Sequence, residues 1–163
     1  MNAREQAIAI ITFARRMTEQ LLEDIPEEQL LHQPVSAGNH ALWVMGHLAT
    51  TDDALAGLYD GGQPVLPQSY NELFGMGSKP THDAGAYPPI AEVREHLGAT
   101  RKRLLDGASA ADDAALSVAL PEELEGFAPD RVGLLISLAW HEGLHAGQIT
   151  MVRRSLGIGP KMG

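Results

Sequence analysis

At 163 residues the chain is long enough for one domain with a proper core, and its 44% apolar and 20% charged content excludes a disordered polymer. A formal charge of −9 and a pI near 5.1, with basic residues clustered only at Arg101-Lys102-Arg103 and Arg153-Arg154, argue against a nucleic-acid partner, which needs a cationic footprint. The absence of cysteine excludes disulfides, zinc–thiolate sites and a thiol nucleophile of the protein's own.

Four long helical patterns follow in order. The first is predicted from about Asn2 to Asp24, with Ala7, Ile10, Ile11, Ala14, Met17, Leu21 and Ile25 at three- and four-residue intervals. Ile25-Pro26-Glu27-Glu28 reads as a break and a short restart. The second pattern spans about Asn39 to Tyr59, with Asn39 as N-cap, a stripe of Leu42, Met45, Leu48, Leu55 and Leu58, and Gly61-Gly62 as the stop. From Gly61 to Pro89, Pro64, Pro67, Pro80 and Pro88 and several glycines predict a long loop, pinned to the body by Tyr70, Leu73 and Phe74. Tyr70 and Phe74 read as anchors of that loop rather than as lining of a pocket. The third helix is predicted over Pro89–Leu105, with Ile90, Val93, Leu97 and Leu104 inward. A short helix begins at Ser109 and ends before Pro121. The fourth follows Pro129 and carries Val132, Leu135, Ile136, Ala139, Ile149 and Val152 to about Leu156, where Gly157 closes it. No segment alternates as a strand, so residues 1–163 read as a single all-α domain, most simply a four-helix bundle with a long loop between its second and third helices. The N-terminal Met1-Asn2-Ala3-Arg4-Glu5-Gln6 lacks the order of a secretory signal and no apolar run reaches bilayer length. The expectation is therefore a cytoplasmic protein without a membrane partner.

His141 and His145 carry the chemistry. Four residues of helix advance ~400° and ~6 Å, so both imidazoles leave one face a turn apart and can close on one ion. A third ligand is needed, and the tail beyond His145 holds no His, Asp, Glu or Cys, so it must lie upstream. That argues against a zinc protease with a downstream ligand, although His141-Glu142-Gly143-Leu144-His145 formally matches the HExxH helix. His47, embedded in an apolar helix, is the favoured third ligand; its alternative is a hydrogen-bonded core histidine. His32, His40, His82 and His96 read as solvated. Three imidazoles leave a coordination position open, as in catalytic sites, and zinc, nickel, iron and manganese all suit them. Glu142 is the candidate catalytic base; it points ~100° away from His141 around the helix, so an exposed or supporting carboxylate is the alternative. Asp52 and Asp53 read as solvating their helix rather than orienting a ligand. The small-residue stripe Ala139, Gly143 and Gly147 asks for a packing reason, such as close helix approach.

Leu42-Trp43-Val44-Met45-Gly46-His47-Leu48-Ala49 and His141-Glu142-Gly143-Leu144-His145-Ala146-Gly147-Gln148-Ile149, the latter followed by Arg153-Arg154-Ser155-Leu156-Gly157, resemble two motifs of the DinB-like family of metal-dependent enzymes, which includes bacillithiol- and mycothiol-dependent transferases. The resemblance covers nearly the whole chain. It implies an up-down-down-up four-helix bundle, a divalent metal held by His47, His141 and His145, and frequent homodimers. The family name records damage-inducible expression and does not imply DNA binding, in agreement with the acidic charge. Relatives transfer low-molecular-weight thiols, isomerise maleylpyruvate with a thiol cofactor, or hydrolyse amides. The leading expectation is a metal-dependent transferase moving a low-molecular-weight thiol to an electrophilic small-molecule substrate. The alternatives are a metal-dependent hydrolase using a metal-bound water with Glu142 assisting, and a noncatalytic stress-response metal-binding bundle.

Overall fold

A computed structural model describes residues 2–161. Four long helices, α1 (Ala3–Leu22), α2 (Ala41–Asp60), α4 (Ile90–Ala110) and α6 (Arg131–Ser155), carry the fold, with short helices α3 (Gln68–Phe74) and α5 (Asp113–Leu116) in the connections. Among the described residues there is no strand, only an isolated bridge between Ala119 and Asp130. No helix among the described residues is long and apolar enough to cross a membrane.

Local chemistry sets most helix ends. Asn2 and Glu5 form a reciprocal capping box at the start of α1, and Asp112 and Asp130 cap α5 and α6. Gly61 and Gly157 close α2 and α6 at φ +72° and +75°, where a side chain is disfavoured. Three expectations are corrected. The cap of α2 is His40, not Asn39: its ring Nδ1 accepts the Trp43 amide at 3.0 Å. The third long helix runs on to Ala110, because Leu104 and Ala108 continue its buried face. The Gly61–Pro89 connection is not all loop, since Pro67 opens α3 and a turn of 3-10 helix follows at Ala84–Ala86.

Paired contacts give the helix directions. Arg15 meets Glu142 and the Leu21 carbonyl meets Arg153, so α1 and α6 run the same way. Asp52 meets Arg101 and Tyr59 abuts Gly107, so α2 and α4 also run together. His47 meets His141 while Tyr59 donates to the Arg131 carbonyl, which sets the two pairs against each other.

α2 is central. Every residue from Ala41 to Thr50 is buried, so the expected stripe is widened to the full circumference there. The apolar core has two parts. One gathers Leu21, Met45, Leu48, Phe74, Leu97 and Ile149; the other gathers Ile11, Ala56, Leu104, Leu116 and Leu135. Between them each long helix contributes one charged residue: Arg15, Asp52, Arg101 and Glu142. Ile10 and Ile136, expected inside, face outward instead.

Candidate metal centre

The antiparallel course of α2 and α6 brings His47 against the His141–His145 face. The Nε2 atom of His141 lies 3.3 Å from His47 Nε2 and 3.1 Å from His145 Nε2. Among the described residues this trio has its ligand atoms all within 4.8 Å of one another. Tetrahedral zinc with Zn–N bonds of about 2.0–2.1 Å separates its ligand nitrogens by ~3.3 Å. The two spacings at His141 therefore match those between ligands of such an ion.

The opposite ring edges show which nitrogens are free. His47 Nδ1 lies 2.7 Å from the Phe74 carbonyl, which can only accept, so Nδ1 carries the proton and Nε2 a lone pair. His145 Nδ1 lies 2.9 Å from the Gln148 side-chain oxygen, which gives that ring the same arrangement. His141 can donate from Nε2 to one of these lone pairs at most. In the neutral triad at least one lone pair is thus left facing another nitrogen, an arrangement that a cation resolves. Burial, reinforced by the neighbouring imidazoles, pushes His141 and His145 down to about 4, and burial also lowers His47. All three rings are neutral at pH 7, the form that binds a metal.

The surroundings fix His47 further. Trp43 stacks on it at 4.6 Å between ring centroids and 10° between planes, while the indole N–H donates to Ser78 Oγ at 2.8 Å. Gly46 lets α3 close in: a Cβ there would stand 2.3 Å from the Phe74 ring, whose own carbonyl holds His47. Tyr70 and Phe74 are buried anchors of the connection, as expected.

Glu142 does not sit where an exposed base would. It is fully buried, with Oε1 accepting from Arg15 Nε at 2.6 Å and Oε2 from Arg101 Nη2 at 2.7 Å. Asp52, expected to be solvated, accepts from both Arg15 and Arg101 at 2.9–3.0 Å. Asp53 is likewise buried and binds the Val65 and Leu66 amides and Arg103, tying down the start of the long connection. His40 is buried too, which corrects its solvated reading; His82 is exposed as expected. Gly143 and Gly147 are exposed, with nothing within 4 Å of a Cβ placed on either, so they serve no helix contact among the described residues. Sequence reasoning missed Arg15, Arg101, Trp43, Asn39 and Gln148 as neighbours of the site. A buried arginine in an apolar helix face, as at Arg15 between Ile11 and Leu21, was the one available signal.

No curated protein matches the chain in sequence. The family model of the DinB superfamily matches residues 10–149, a span that contains all four long helices in whole or part and the three clustered histidines. On that match the chain belongs to the DinB superfamily.

Proposed function

We propose that the protein is a metal-dependent transferase that joins a low-molecular-weight thiol to an electrophilic small molecule. One observation carries the reading: three imidazole nitrogens converge, two of them with lone pairs set by the partners of the opposite ring edge, while the neighbouring carboxylate Glu142 has both oxygens committed to guanidinium groups. A divalent ion bound there supplies Lewis acidity that favours the ionised form of a substrate beside it. A thiol, with a free pKa near ~8.5, needs little help to ionise, whereas water needs a stronger push and a base. The triad has no uncommitted carboxylate in Glu142 to act as that base, which weighs against hydrolysis. In the transfer the thiol gives its proton to solvent, a sulfur–carbon bond forms, and the leaving group departs with its electron pair. The three histidines hold position throughout, and His47 and His145 keep their Nδ1 protons on the Phe74 carbonyl and the Gln148 side-chain oxygen.

The test loads the protein with zinc, nickel, iron or manganese in turn and mixes it with a panel of low-molecular-weight thiols and a generic aryl halide electrophile. The expected result is thioether formation above the metal-free control, lost in His47→Ala and His141→Ala. No rate above the control for any metal overturns the reading, and amide or ester cleavage without thiol would favour a hydrolase. We also propose a homodimer, supported by an outward apolar face of α6 made of Ile136, Trp140, Leu144 and Met151.

A further inference from the structure

Gln148 lies one turn beyond His145 on α6 and is half-buried. Its side-chain oxygen receives two contacts: His145 Nδ1 at 2.9 Å and Asn39 Nδ2 at 3.1 Å. Asn39 belongs to the segment leading into α2, 109 residues away in sequence. A side-chain amide can present either end. With its nitrogen toward His145 it would donate to Nδ1 and force the imidazole proton onto Nε2, the atom that faces His141. With its oxygen there it accepts, and Nε2 keeps its lone pair. The structure shows the second arrangement, with the donating Asn39 amide nitrogen on the same Gln148 oxygen.

We infer that Asn39 and Gln148 form a relay that fixes His145 as the Nδ1–H tautomer and so aims a lone pair at the meeting point of the triad. The inference rests on the metal-binding reading for its purpose, but not for its chemistry. His47 receives the same treatment from a backbone carbonyl, which no substitution of its own can turn. His145 depends on a side chain, so its tautomer is adjustable by mutation. Gln148 is thereby a positioning residue: it touches a ligand, not the reacting atoms.

Two measurements on the intact protein test the relay. Nitrogen-15 NMR of the metal-free protein at pH 7.5 reads the His145 tautomer directly. Competition with a chromophoric chelator reads zinc affinity. The native protein is expected to show Nδ1–H. Gln148→Leu is expected to mix the tautomers and weaken zinc binding by about 10- to 100-fold, the usual cost of losing a partner behind a metal-binding histidine. Gln148→Glu, which can only accept, is expected to keep the Nδ1–H form and restore affinity to the native level or above. Asn39→Asp puts an acceptor where the donor was; it is expected to turn the intact Gln148 amide, move the His145 proton to Nε2 and weaken zinc binding. Helicity and thermal unfolding confirm that each variant folds. A native His145 in the Nε2–H form overturns the relay, as do Gln148→Leu and Asn39→Asp variants with native tautomer and affinity. A native protein that binds no zinc overturns the metal reading, while the tautomer comparison still decides the relay.

Discussion

His40 Nδ1 accepts the Trp43 amide, so the ring proton sits on Nε2, 3.1 Å from the Thr81 carbonyl and 3.2 Å from the Tyr87 hydroxyl. A second proton would turn the capping nitrogen into a donor and break the cap. Burial pushes the pKa of His40 down to about 4 from its ordinary 6.5, and His82 nearby adds to the shift. Between those values the unfolded chain holds the extra proton and the folded chain does not. Stability therefore rises with pH in that window and is lost as pH falls from 6.5 toward about 4. His40→Asn keeps a capping oxygen but cannot titrate there. Thermal melts at pH 7.5 and pH 4.5 should show the native protein losing more stability than the variant; equal losses would separate His40 from the acid response. This residue was hard to read from sequence because Asn39 beside it is the better cap by propensity. The Asn39 side chain goes instead to Gln148, a partner no local rule reveals. Glu142 was hidden for a related reason: its exposure depends on guanidiniums from Arg15 and Arg101, 127 and 41 residues away. His141 and His145 were legible because their relation is local, and His47 because an imidazole stands out in so apolar a helix.

α6 carries two faces of different use. Toward α2 it offers His141, His145 and Ile149; outward it offers Ile136 at 48%, Trp140 at 64%, Leu144 at 49% and Met151 at 50% exposure. Positions 136, 140, 144, 147 and 151 fall within ~80° of one another around a helix. Gly147 in that band leaves room for close approach by another surface. Large side chains grouped this way mark an interaction site more often than chance exposure does. Light scattering should give twice the chain mass for the native protein and a single-chain mass for Ile136→Glu/Met151→Glu, neither position being among the clustered histidines. A native protein of one chain mass would remove the dimer. Helix periodicity in sequence predicted where α1, α2, α4 and α6 lie, but not which apolar positions of α6 turn outward, because Ile136 follows the same spacing as its buried neighbours. α3 escaped for another reason. Seven residues between prolines and glycines are too few for a periodic signal, and burial of Tyr70 and Phe74 against α2 and α4 decides that helix.

Across the whole molecule, the charged layer between the two apolar clusters ties the four long helices at one level. Arg15 reaches Glu142, Asp52 and the Leu97 carbonyl; Arg101 reaches Asp52, Glu142 and the Ile11 carbonyl. Two positive and two negative groups cancel, and no buried side-chain nitrogen or oxygen among the described residues lacks a partner. Such a layer is not a large source of stability, because each ion has lost its water. It is instead sensitive to partial removal. Glu142→Ala should cost about 3–5 kcal/mol, since it leaves both guanidiniums short of an anion. Replacing all four residues with Met or Leu of similar volume should cost far less, and can stabilise by up to about 4 kcal/mol. Urea unfolding of the two variants gives that comparison. The layer lies next to the triad along both histidine-bearing helices, with Glu142 adjoining His141 and Asp52 five residues past His47. An apolar layer permits neighbouring registers between α2 and α6 that the paired charges exclude. The fully apolar variant is accordingly expected to stay helical and stable yet bind zinc more weakly than the native protein in chelator competition. Native zinc affinity in that variant would mean that packing of the two apolar clusters alone sets the register, with the charges along for another reason.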